Sequence, residues 1–134
     1  MKKLFLVLIL MLNFISFSQK KDSVSKKSIN IIQKECTLKK GIQLRLKRVF
    51  DDSRCPENVA CIWAGEVSVE IVVYKNCKII EGKTLTFNSK NFEENKKWFA
   101  SYLSNQKIKD IEVVPNLKDS VLLNPKDYLI KVIY

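Results

Sequence analysis

The chain contains no histidine, only two methionines, three glycines and three prolines among its 134 residues. Without histidine there is no Ser-His-Asp or Cys-His catalysis, no His-ligated zinc and no imidazole proton shuttle, because no other side chain titrates near neutrality without a large environmental shift. Both methionines, Met1 and Met11, fall in the first segment. The remainder of the chain therefore offers neither His nor Met to copper or haem. No metal site and no cofactor is expected.

The first segment reads as an export signal. Met1-Lys2-Lys3 is a short basic head, twelve of the fourteen residues from Leu4 to Phe17 are apolar, and Ser16 and Ser18 offer small residues for cleavage after Ser18. A run of fourteen is short for a span, which needs roughly 20 residues. Removal of 18 residues from 134 leaves 116, and the loss of Lys2 and Lys3 lowers the net charge from +10 to +8. Export to the periplasm or the medium is the consequence, as a monomer with no transmembrane segment in the mature chain.

An oxidising destination makes four cysteines a disulfide framework. Four cysteines allow three connectivities; Cys55 with Cys61, enclosing five residues including Pro56 in a compact loop, is the favoured one, and Cys36 would then pair with Cys77. Chain entropy assigns roughly 2 to 2.5 kcal/mol to the short bridge and about 4 kcal/mol to the long one. The C-x5-C spacing fits neither a zinc cage nor a C-x-x-C redox site.

Along the mature chain, residues 19–30 are rich in Ser and Lys and read as a disordered basic lead, so that a single domain spans 31–134. Ile31 to Leu38 and Ile42 to Phe50 read as two strands about Lys39-Lys40-Gly41. The second changes phase, so a β-bulge near Lys47 is needed to bring Val49 to the core. Ile62 to Tyr74 is the strongest strand pattern and should be central, with Val67, Val69, Ile71 and Val73 on one face. A turn at Lys75-Asn76 leads into Lys78 to Glu81, and Lys83 to Phe87 comes after Gly82. Asn91 with Glu94 three positions on predicts a capped helix over Phe92 to Ser104, with Trp98, Phe99, Tyr102 and Leu103 as a packing stripe. Lys107 to Val114 and Asp127 to Tyr134 return to strand patterns. The expected fold is mainly β: an antiparallel sandwich or partly closed barrel with one short helical insertion, braced by disulfides.

The most distinctive stretch runs from Asp52 to Val67. Asp52 and Ser53 can cap backbone amides, Arg54 can bridge to a nearby carboxylate, Pro56 stiffens the loop, and Val59 can pin it to the core. Trp63 adds a large apolar surface, and Gly65 permits a close backbone approach. Asp52, Ser53, Arg54, Pro56, Glu57, Trp63 and Glu66 are the candidate interaction residues. One reading makes the constellation purely structural, a bridge, a salt link and a buried Trp. Another displays the loop to a partner, with Arg54 before a rigid Cys-Pro as its sharpest residue, in the manner of a protease inhibitor. Asp51, Asp52 and Glu66 could supply oxygens to Ca²⁺, but they lack the alternating ligands of a dedicated loop.

This stretch resembles the signature of an uncharacterised family of small bacterial exported proteins, many of them lipid-anchored, marked by D-S-R-C-P-x-x-V-x-C-x-W-A-G. Every fixed letter is met from Asp52 to Gly65, and the flanking Ile42 to Val49, Glu66 to Tyr74, Val114-Pro115 and Tyr128 to Ile133 stretches are similar as well. The resemblance implies a β-rich exported domain without an assigned activity. The chain departs from the pattern in having no Cys near the cleavage point, in its Cys36 and Cys77 pair, and in the Phe92 to Ser104 insertion.

The sequence reading is therefore a non-enzymatic cell-envelope module that binds or supports an envelope protein or an anionic polysaccharide. Scattered lysines without interleaved exposed aromatics argue against nucleic acid. The rival from another class is a small hydrolase working with carboxylates alone.

Overall fold

A computed structural model describes residues 27–103, 107–119 and 121–134. The expected signal peptide at 1–18 and the 19–26 part of the lead lie outside the described residues. Among those described are six strands and one α-helix: β1 (Ser28–Ile32), β2 (Ile42–Asp52), β3 (Val67–Lys75), β4 (Lys78–Phe87), α1 (Phe92–Tyr102), β5 (Asp110–Val114) and β6 (Leu129–Ile133). They form two antiparallel three-stranded sheets, ordered β2-β3-β4 and β1-β6-β5, which share one hydrophobic core in a sandwich-like arrangement and do not close into a barrel.

In the first sheet β3 is central, as its pattern predicts, and Val67, Val69, Ile71 and Val73 are all fully buried. β-branched side chains of alternate residues fill one face of a pleated strand, each fully buried one contributing about 1.5–3 kcal/mol. The register of β2 against β3 shifts between Leu46 and Arg48, which is the bulge needed at Lys47, and Val49 packs against the core in consequence. Lys47 and Arg48 then share the outer face, both bonded to Glu70, at 2.9 and 2.7 Å. Asn76 and Cys77 take positive φ in the turn between β3 and β4. The apolar pieces on either side of Gly82 form one continuous strand.

The second sheet corrects two expectations. The lead does not extend to residue 30, because β1 begins at Ser28. Nor does Ile31 to Leu38 form a hairpin with β2: β1 ends at Ile32 and pairs with β6, at the far end of the chain. β6 is central, and its Ile130 lies between Ile31 and Val113 in the cross-strand register. Ile31 is thereby buried, which makes this short edge strand part of the core. Residues 33–41 cross between the sheets, and the predicted Cys36–Cys77 disulfide ties them to the β3–β4 turn.

Helix α1 ends at Tyr102, two residues earlier than expected, and Ser104 lies outside the described residues. Its side-chain cap is not Asn91. Asn88 organises the approach instead, its Oδ1 accepting from the amides of Lys90 and Asn91 at 3.0 and 2.9 Å. The helix docks on β4 through buried Phe99, through Asn95, which donates to the Thr86 carbonyl at 2.9 Å, and through Trp98 and Tyr102, which both donate to Glu81. The aromatic stripe is core packing, as expected.

Candidate functional site

The loop between β2 and β3 is closed at its base by its own backbone. The Ser53 amide donates to the Glu66 carbonyl at 2.8 Å, and the Cys55 amide donates to Ala64 at 2.9 Å. The predicted Cys55–Cys61 disulfide closes the tip. Gly65 makes the base this tight: it takes φ +70°, and a Cβ there would lie 1.8 Å from the Ser53 carbonyl oxygen. Only a residue without a side chain tolerates both conditions. On the other side of the loop, the Glu57 amide donates to the Leu117 carbonyl at 2.8 Å, and Asn116 Nδ2 donates to Glu57 Oε1 at 2.9 Å. The loop is thus held to the β5–β6 connection.

Beneath it lies an ionic clamp joining the two sheets. Arg54 grips Asp52 in a fork, Nε to Oδ1 at 2.8 Å and Nη2 to Oδ2 at 2.7 Å, and Tyr128 donates its hydroxyl to the same Oδ2 at 2.9 Å. Arg54 also donates to the carbonyls of Val113 and Pro115, on either side of the cis Val114–Pro115 bond. The side chains of Asp52 and Arg54 are 7% and 18% exposed. Burial pushes the Asp52 carboxyl up, but the hydrogen bonds from Arg54 and Tyr128, with the guanidinium charge, outweigh it and hold the group below the ordinary aspartate range. Burial and the Asp52 charge push the Tyr128 phenol up.

The candidate residues therefore divide. Asp52 and Arg54 turn inward, so the expectation that Arg54 is displayed to a partner is corrected: its donors are spent on one carboxylate and two carbonyls. Trp63 turns outward, correcting the buried Trp of the structural reading. It is 76% exposed and its neighbour Ile62 is 99% exposed, and Val59 is exposed rather than pinned to the core. Residues 62–66 are not strand, since β3 begins at Val67. They are apolar enough to imitate its continuation, but the ladder at Ser53–Glu66 turns them away from the core.

A concave surface of about 470 Å³, lined by Arg54 with Phe87, Phe92, Ile111 and Val113, adjoins the loop, and two more flank it. A cleft of about 400 Å³ runs beside Trp63, lined by Ser53, Glu66, Asn88, Ser89 and Lys90, where Asn88 Nδ2 donates to Glu66 Oε2 at 2.9 Å. A groove of about 910 Å³ lies on the outer face of the second sheet, lined by Glu57 together with Asn30, Lys131, Glu112, Asn116 and Lys118. Asn30, Lys131 and Glu112 occupy one cross-strand row there. Sequence reasoning missed Tyr128, Asn88, Lys90, Asn116 and Lys118. Only Asn88 carried a local signal, as an Asn before Ser-Lys at a strand end. Pro56, half-buried in the loop, makes no lining contact with any of these surfaces.

Among the described residues no three His, Cys, Asp or Glu side chains converge to hold a metal ion, Asp51, Asp52 and Glu66 included, and no helix is long and apolar enough to cross a membrane. Comparisons with protein-family models, with curated proteins and with solved structures find no match.

Proposed function

We propose that this is an exported, non-catalytic binding module of the cell envelope, and that the outer face of the 52–66 loop is its contact surface. The observation that carries the reading is Trp63: a large aromatic ring held in solvent on a segment whose backbone is fixed by a disulfide, two backbone bonds and a sterically obligatory glycine. Exposed aromatics on pre-ordered loops bind cheaply, because the conformational entropy of the contact is already lost. Two disulfides suit work outside the cytoplasm.

The test is capture from envelope extracts by immobilised mature protein, wild type against Trp63→Ala. Recovery of the same partner in reduced amount by the variant supports the reading, and equal recovery removes the loop from the site. Arg54→Ala is not a suitable control, because it disturbs the clamp.

One observation favours a second reading, a carboxylate-dependent hydrolase: Glu57 and Glu112 line the same groove. Release of reducing ends from a polysaccharide by the wild type, abolished in Glu57→Gln and Glu112→Gln, would establish it.

A further inference from the structure

We infer that the cleft beside Trp63 takes a pyranose ring of a polysaccharide, the ring's C–H face lying on the indole and its hydroxyls on Glu66, Asn88 and Lys90. This deepens the loop-binding reading and rests on it. The lining chemistry selects the class of ligand. Next to one flat, exposed aromatic face, the cleft offers a carboxylate, an amide N–H, the Ser89 hydroxyl and an ammonium group, and its apolar lining beyond Trp63 is no larger than Ala64. Beyond the indole and Ala64, such a wall offers polar groups rather than an enclosing apolar pocket.

It matches a molecule that is apolar on one face and ringed by neighbouring hydroxyls: the Glu66 carboxylate accepts from hydroxyls, and the second Nδ2 hydrogen of Asn88 donates to one, its Oδ1 being taken by the Lys90 and Asn91 amides. The Asn88 bond fixes Glu66 Oε2 and leaves Oε1 free to accept. The volume, about 400 Å³, lies within the range of about 300–1,000 Å³ of small-molecule sites and is open enough for the ring to belong to a longer chain. Lys90 and the net positive charge of the chain favour a ring that carries a carboxylate.

The proposal is tested by affinity electrophoresis of the mature protein in gels containing polygalacturonate or alginate, which are acidic, and dextran or laminarin, which are neutral. Retardation by at least one is expected, weakened about tenfold or more by Trp63→Ala and only in part by Trp63→Phe. Because Trp63 is exposed, unchanged circular dichroism and melting will show that these variants fold. Lys90→Ala distinguishes the two kinds of chain: it weakens binding and its salt dependence if the ring is acidic, and leaves both nearly unchanged if the ring is neutral. The inference is overturned if no polysaccharide retards the wild type, if Trp63→Ala is retarded equally, or if Trp63-dependent binding is found only to phosphatidylglycerol vesicles. Trp63-dependent capture of an envelope protein without polysaccharide binding would end this inference and leave the loop-binding reading standing. Failure of both would end both.

Discussion

Arg54→Ala should be among the most damaging single substitutions in the chain, and its cost can be worked from the clamp. The change leaves the Asp52 carboxylate, 7% exposed, with the Tyr128 hydroxyl as its principal remaining donor, and strips the Val113 and Pro115 carbonyls of theirs. Removing one partner of a buried ion pair costs about 3–5 kcal/mol. A ceiling exists, because Asp52 can escape by taking a proton, at about 4 kcal/mol at pH 7 for a group of ordinary pKa near 4. The expected loss is therefore about 3–4 kcal/mol, a large part of the ~5–15 kcal/mol of a small domain.

In urea, with a slope of about 2 kcal/mol per molar, the midpoint should fall by about 1.5–2 M. Asp52→Asn should cost less, and the double variant should fall short of the sum of the two by about 2 kcal/mol, as expected of groups in direct contact. A loss below about 1 kcal/mol for Arg54→Ala, or strict additivity in the cycle, would refute the clamp and return Arg54 to the solvent.

The same structure sets three further outcomes. Gly65→Ala should cost at least about 2 kcal/mol in thermal or chemical denaturation, because of its positive φ and the Ser53 carbonyl, whereas Gly82→Ala, with open space around the new methyl, should stay within about 0.5 kcal/mol. Ile31→Ala should cost about 2–4 kcal/mol, since β1 belongs to the core; a change within error would place it outside the folding unit. Asp52 is held below its unfolded value, so its contribution is fully present above pH about 4 and is lost as pH falls through the lower folded value. The stability gap between wild type and Asp52→Asn should accordingly narrow below pH 4, and a gap constant down to pH 2 would contradict that sign.

The parts of this fold legible in the sequence are those fixed by local pattern. The alternation of Val67 to Val73, the slipped phase at Lys47, the aromatic spacing of α1 and the cysteine pairing each reflect near neighbours or a strong covalent constraint. β1 was not legible, because its five residues mix Ser and Asn with Ile, and the partner that makes them a strand arrives at the other end of the chain. At the site, the Arg54–Asp52 link could be anticipated from two residues of separation. Tyr128, 76 residues from Asp52, is brought in only by the tertiary fold. Ile62 and Trp63 mislead for a further reason: apolar residues ahead of a strong strand imply burial, but the disulfide and Gly65 turn the backbone so that they face water.

The central claim is that the loop is two-faced, its charged pair inward and its tryptophan outward. Covalent footprinting of the native protein, read by peptide mass, tests both faces at once. Phenylglyoxal should label Arg48, whose side chain is 61% exposed, far faster than Arg45 and Arg54, and N-bromosuccinimide should oxidise Trp63 well before Trp98. Labelling of Arg54 as fast as Arg48, together with a protected Trp63, would turn the loop inside out and contradict the account.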